Sequence, residues 1–231
     1  LVVSLRIVRA TLLVPILEEL FWRGWLPRWI VNPDWQRVEP ARYTALAADN
    51  YRADISKPTG SGRIRSVFVY NDIAYCIRDN AGGTAAVLYK QTAGGWSAVT
   101  LFHEVSFTAG GTATPLDTQT LTQGGVTATI RRVVTETGAW TGTATGRFII
   151  SNISGGNFAA GAATVTTSGA TLTISGIQTQ ITLSPGGKGE AVQANFFGQA
   201  SGTRIYHADG VNRMFEFDGT TLVPISTGGL I

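Results

Sequence analysis

The feature that most constrains this chain is a change in sequence character between Tyr43 and Pro58. Before Tyr43, apolar residues recur at helical spacing; after Pro58, short apolar runs alternate with Gly, Thr, Asn and Asp. One segment cannot satisfy both the helical period of about 3.6 residues and the strand period of two. We therefore predict a mainly β protein that is preceded by a short N-terminal helical segment.

The change in character divides the chain into successive regions. We predict a helical leader over residues 1–44, a linker over 45–60, propeller-like antiparallel β hairpins over 61–109, an inserted small β-barrel or sandwich over 110–187, and returning β hairpins over 188–231.

Composition narrows the function classes. The 231 residues, 44% of them apolar, suffice for a folded core, and 28 glycines suit many tight turns. The net charge of +3 comes from scattered basic residues, with Arg63 and Arg65 or Arg131 and Arg132 as the nearest approach to a patch. We therefore predict no nucleic-acid binding. The single cysteine, Cys76, excludes an internal disulfide framework and is expected to be a buried thiol.

The leader carries a motif with catalytic character. Pro15 suits the first turn of a helix, and Glu18-Glu19-Leu20-Phe21-Trp22-Arg23 has the form EExxxR. This stretch resembles the first motif of the CAAX-processing and bacteriocin-processing intramembrane proteases. The resemblance implies that Glu18 or Glu19 serves the hydrolytic water and that Arg23 supports the carboxylate.

The other elements of that protease family are not met. The family also requires Phe-xxx-His and His-xxx-Asn/Asp, and neither His103 nor His207 has the matching neighbours. We therefore predict no enzyme activity and no catalytic residues, with Glu18, Glu19 and Arg23 forming an ion-pair cluster on an amphipathic helix. A protease fragment with an incomplete active site, located in a membrane, is the alternative.

Tryptophans bear on membrane contact. Four of the six lie in the leader, a density that suits a membrane–water boundary. The leader has no uninterrupted apolar run of the roughly 18 residues that a spanning helix needs. Membrane contact is expected only through residues 1–31.

Strand-like alternation dominates the remainder of the chain. Residues 66–70 and 73–78 predict a hairpin around Asn71-Asp72, and residues 85–90 and 96–101 predict another. Four such strands amount to about one propeller blade. The insert shows five strand candidates separated by Gly-rich turns, with Trp140 and Phe158 as core anchors. Further hairpin strands are predicted at 203–208, 213–217 and 222–225.

This order of hairpins, inserted barrel and returning hairpins resembles a tailed-bacteriophage virion structural protein. The segments that carry the resemblance are 50–55, 69–75, 78–84, 146–151, 157–161 and 210–219. It implies a passive tail or head-tail component that contacts copies of itself and other virion proteins.

Isolated polar residues do not add up to a further site. His103-Glu104 is too sparse for a metal, and Asp209-Gly210 and Asp218-Gly219 suit turns better than calcium loops. His207 is interpreted as a strand histidine whose ring bonds a neighbour. We predict no cofactor, no metal and no small-molecule substrate; a carbohydrate-binding barrel is a third possibility, although its aromatic residues are few.

Overall fold

Alternating apolar and polar residues form antiparallel strands throughout the described part of the chain. The structure, a computed structural model, describes residues 57–196 and 202–226, and from Pro58 onward these belong to one unit. This part is mainly β, as predicted, with fifteen strands and no helix among the described residues. The predicted helical leader, including Glu18, Glu19 and Arg23, lies outside the described residues.

The first four strands form an antiparallel sheet, which we call the front sheet. Its strands follow one another in chain order: β1 Ile64–Tyr70, β2 Ile73–Asp79, β3 Ala86–Thr92 and β4 Gly95–Ala98. Asn71 and Asp72 join β1 to β2 with φ angles of 49° and 60°. Two successive residues in the left-handed region make the tight hairpin turn that the sequence predicts.

The next six strands close into an antiparallel barrel. They are β5 His103–Gly110, β6 Thr120–Gln123, β7 Val126–Thr137, β8 Ala144–Ser154, β9 Gly161–Val165 and β10 Ala170–Ile174. The order is β10-β9-β6-β7-β8-β5, and the pairing of Ile174 with Phe107 joins β10 back to β5. The sequence did not distinguish a barrel from a sandwich, and the closed ring of strands shows that the insert is a barrel.

Apolar side chains at every second position fill the barrel. Phe107 and Phe148 stack with ring centroids 4.5 Å apart, and both are fully buried. Of the two predicted anchors, Phe158 is buried in this core, whereas Trp140 is half-buried and stacks on Phe107. Fourteen buried apolar residues pack together in this core, so closure and apolar burial hold the barrel together.

Four more strands form a second sheet, which we call the rear sheet. Before it, the short strand β11 Thr179–Gln180 pairs with the same β5 that closes the barrel. The rear sheet again follows chain order: β12 Glu190–Ala194, β13 Arg204–Ala208, β14 Phe215–Phe217 and β15 Leu222–Pro224.

The front and rear sheets share one apolar core. Tyr75 packs edge-on against Phe217 with ring centroids 5.1 Å apart, and the Tyr70 hydroxyl donates to the Thr203 carbonyl over 2.7 Å. Ile149, which faces outward from the barrel, joins this core. The two sheets are therefore packed through their inner faces although the barrel separates them in sequence.

Some strand boundaries differ from the prediction. The barrel begins with β5 at His103, whereas the insert was predicted to start at residue 110, because Val105 and Phe107 already point into the barrel. The strand predicted at 178–183 is shorter in the structure and comprises Thr179–Gln180. Beyond it the chain crosses to the front sheet, where Leu183 bridges to Ala86.

Candidate assembly surface

The outer face of β1 carries an exposed apolar stripe. Phe68 and Tyr70 point into the shared core, so Val67 and Val69, which alternate with them along β1, point outward. These two side chains are 64% and 59% exposed, and Ile64 is 54% exposed. We call Ile64, Val67 and Val69 the β1 stripe.

A β-bulge brings Ile64 onto this face. The register shifts between Ile64 and Ser66, which places Ile64 opposite Arg78 on β2, while Val67 pairs with Cys76. Arg78 and Cys76 are two residues apart on β2 and therefore share one face of the sheet. The bulge thus lengthens the apolar stripe by one residue.

The one charged side chain within β1 is held by an ion pair, whereas Arg63, just before the strand, is exposed. Arg65 is the single charged residue of β1, and its Nε donates to Oδ2 of Asp79 over 2.7 Å. This guanidinium lowers the pKa of Asp79 below its ordinary value. Natural sheets protect exposed edge strands with lysine or proline. β1 has neither, and a backbone bond from the Gly189 amide to the Arg65 carbonyl covers one point of its edge.

The neighbouring strands of the same face are covered by the chain itself. Nε of Arg78 donates to the Gly62 carbonyl over 2.8 Å, and the Tyr89 hydroxyl donates to the Thr59 carbonyl over 2.9 Å. A Cβ at Gly62 would collide with the Asp79 carbonyl, so only glycine allows this close approach. Cys76 is buried here, as predicted.

A second exposed apolar group lies on the rear sheet. Val192 of β12 is 63% exposed and sits opposite Tyr206, and Phe196 is 74% exposed. The Phe196 ring packs edge-on against Tyr206 with centroids 4.7 Å apart. Large exposed apolar residues that cluster in this way are typical of contact surfaces.

Ion pairs fasten the barrel to the outer face of the rear sheet. Nη1 of Arg132 on β7 donates to Glu216 of β14 over 2.8 Å, and Nη2 donates to Asp218 over 2.7 Å. Because Arg132 binds Glu216 and Asp218 at once, and its Nε lies 3.4 Å from Asp117, it fixes the orientation of β14 against the barrel.

A second arginine, Arg147, is buried in the same contact. Its guanidinium binds Glu136 over 2.9 Å and donates to the Pro224 carbonyl of β15. Burial lowers the pKa of Arg147 below its ordinary value, although Glu136 and Glu104 act in the opposite direction. The Ser226 hydroxyl completes the cluster by donating to Glu136 over 2.6 Å.

A cleft of about 300 Å³ lies between the β11 region and the loop before β14. Three of its polar side chains have partners: Arg213 binds Glu104 over 2.7 Å, and Asn212 accepts from the Ser184 amide over 2.7 Å. These groups hold the walls of the cleft together and are not directed toward a guest molecule.

Several residues weighed in the sequence are explained by local structure. Oδ1 of Asp209 accepts from the amides of Val211 and Asn212, and Oδ1 of Asp218 accepts from those of Thr220 and Thr221. These are the turns that the sequence predicts. Within residues 57–196 and 202–226 no group of three potential metal ligands occurs, and no helix there is long and apolar enough to span a bilayer.

The histidines and arginines also have defined places. His103 lies at the start of β5 and His207 on β13, and nothing brings these two together. Nε of Arg131 donates to the Ser151 hydroxyl over 2.6 Å, and its guanidinium lies over the Phe102 ring. Arg65, Arg131 and Arg132 are therefore bound to groups of the protein and do not form one basic surface.

Comparisons with known proteins return no relative. No family model matches the chain, and neither the curated proteins nor the solved structures contain a match. They therefore support neither the virion resemblance nor the protease resemblance.

Proposed function

We propose that this chain is a non-enzymatic structural component of a tailed-bacteriophage virion and that it assembles with copies of itself through the β1 stripe. The observation that carries the proposal is the stripe: three apolar side chains of one strand are each more than half exposed. Apolar area in contact with water favours association by about 25 cal/mol per Å² that becomes buried.

Propeller packing explains why such a face would be left open. The front and rear sheets are both four-stranded antiparallel meanders that share a core through their inner faces, as neighbouring propeller blades do. We interpret them as two blades, in which case the part of the outer face that stays open, along β1, is the surface that a further blade would contact, since residues 58–62 already cover β2 and β3. A sister chain supplies that blade.

The proposed location in a virion is based on the resemblance seen in the sequence. The order of hairpins, barrel and returning hairpins resembles a tail or head-tail protein, and a closed six-stranded barrel between two meanders is compatible with that order. The other virion proteins are expected as further partners. The proposed role requires no catalytic residues, no cofactor and no small-molecule substrate.

Self-association of the full chain tests the stripe directly. We expect Val67→Lys and Val69→Lys together to weaken association at least tenfold in sedimentation velocity experiments, because each lysine places a charge where apolar contact is needed. Leu116→Lys is the matched control, since Leu116 is 62% exposed but belongs to a barrel loop. Unchanged association of the double variant would contradict the proposal.

The virion assignment has a separate test. Capsid and tail genes next to the coding sequence, together with recovery of the chain in purified particles, would support it. The alternative of a protease fragment predicts instead that the chain cleaves a membrane peptide in detergent and loses this activity with Glu18→Ala. Such cleavage would overturn the non-enzymatic assignment.

A further inference from the structure

A buried histidine lies at the contact between the front and rear sheets. His207 on β13 is 1% exposed. Its ring stacks on Phe215 of β14 at 4.7 Å between centroids and lies 6.0 Å from Phe68 of β1. The imidazole is therefore held between aromatic rings from both sheets.

Neither nitrogen of His207 has a hydrogen-bond partner in the described structure. This overturns the sequence-based interpretation, in which the ring bonds a neighbour. The reason is the surroundings: the ring faces Phe215 and Phe68, and a Cβ at Gly189 would collide with Nε2. Buried polar groups without partners are uncommon enough to require an explanation.

The charged groups nearby do little to accommodate a proton on His207. On β1, Arg65 is paired with Asp79, and on β12 the adjacent Glu190 is exposed. Lys188 flanks Gly189, and Glu216 of β14 points to the opposite face, where it binds Arg132. Asp209 favours the protonated ring, but burial outweighs it and lowers the pKa of His207 below its ordinary value.

We propose that His207 is an acid-sensitive switch: a proton on its ring opens the contact between the front and rear sheets while the barrel remains closed. A buried imidazolium without partners is strongly disfavoured, whereas an opened contact lets water solvate it. Of the buried charged side chains among the described residues, only Arg147 lies on a barrel strand, and it faces Glu136 and the rear sheet. The inference concerns a single chain and does not depend on self-association through the β1 stripe.

The direction of the effect follows from proton binding. The unfolded or opened state takes up a proton near pH 6.5, whereas the closed state resists it to lower pH. Below about pH 6.5 the open form therefore binds more protons, and the closed form loses stability as the pH falls. For one proton, the opening constant rises by at most about tenfold per pH unit.

Hydrogen exchange of the full chain between pH 7.5 and 4.5, corrected for intrinsic rates, measures this opening. We expect the opening constants of β1 and β13 amides to rise steadily below pH 6.5, while those of β8 in the barrel stay constant. His207→Phe and His207→Gln should both remove the rise. His103→Gln, which replaces the other histidine, should leave it intact.

A wild-type profile that is flat, or one that both His207 variants reproduce, would overturn the proposal. Should the variants fail to fold, an NMR titration of the wild-type imidazole provides the same decision. Titration well below pH 6.5 that coincides with opening of the two sheets supports the switch. Titration near pH 6.5 with the sheets still closed excludes it.

Discussion

The barrel and the two meander sheets differ in whether their outermost strands are paired. In the barrel, β5 to β10 form a closed ring, so each of these strands has a neighbour on both sides. The front and rear sheets instead end in edge strands, and two of these, β1 and β12, carry the apolar side chains most exposed in either sheet. Closure leaves the barrel self-sufficient, whereas the open sheets retain surface that another chain can cover.

The interiors differ in the same sense. On the barrel strands the buried polar or charged residues among those described are Arg147 and Ser151, whereas Asp79 and His207 are buried in the two sheets. The core between the sheets lies beside an imidazole, and the rear sheet is joined to the barrel by arginines bound to carboxylates and a backbone carbonyl. The free energy of apolar packing depends little on pH, whereas that of ionic contacts and buried imidazoles depends strongly on it. We therefore expect the barrel to provide most of the stability and the two sheets to respond to pH.

The largest effect is expected from the barrel core. Phe148→Ala removes a fully buried ring that stacks on Phe107, and we expect a loss of about 3–5 kcal/mol in the free energy of unfolding, measured with urea. Val67→Ala on the β1 stripe should change it by less than about 0.5 kcal/mol. A smaller loss for Phe148→Ala than for Val67→Ala would show that the barrel core is not the main source of stability.

The ionic contact between the barrel and the rear sheet comes next. Arg147→Ala leaves Glu136 without its guanidinium partner, and we expect a loss of about 2–3 kcal/mol in the free energy of unfolding. Arg213→Ala, which removes an ion pair with a half-exposed guanidinium, should lose less than about 1 kcal/mol. Equal losses for the two variants would show that burial of Arg147 does not matter.

The Arg65–Asp79 pair makes stability depend on pH in a second range, which lies below that of His207. Because the pKa of folded Asp79 is lowered, its contribution is present above the unfolded pKa near 4 and is lost as the pH falls through the folded value. Asp79→Asn should therefore be less stable than wild type at pH 7, and the two urea midpoints should converge only as the pH falls through the lowered pKa of folded Asp79. Convergence already at pH 5 would place the effect in another group.

Local chemistry is the part of this fold that sequence predicts well. The Asn71-Asp72 turn and the turns at Asp209 and Asp218 follow from a few adjacent residues, and each is formed as predicted. Alternation likewise located β1, β2 and β10. These features depend on neighbours in sequence, so no knowledge of the packing is needed.

Features that depend on distant residues were not predictable in the same way. The residues of β12 include a charge and two alanines, and they form a strand because β13 pairs with them. Alternation shows that Val67 and Phe68 point to opposite faces, but it does not say which face another element covers. The missing hydrogen bond of His207 depends on Phe68, which lies far away in the chain.

The smallest effect is expected at the turn that carries the β1 stripe. Asp72 has a φ of 60° and an exposed side chain, a position at which glycine after asparagine is preferred in two-residue hairpins. Asp72→Gly should raise the free energy of unfolding by about 0.5 kcal/mol, since relief of backbone strain is partly offset by greater freedom of the unfolded chain. Asp72→Ala should lower it by about 1 kcal/mol, because alanine resists the left-handed conformation. Hydrogen exchange of β1 and β2 should be slowest in Asp72→Gly and fastest in Asp72→Ala. A change of exchange in the barrel alone would show that the front sheet does not respond independently of the barrel.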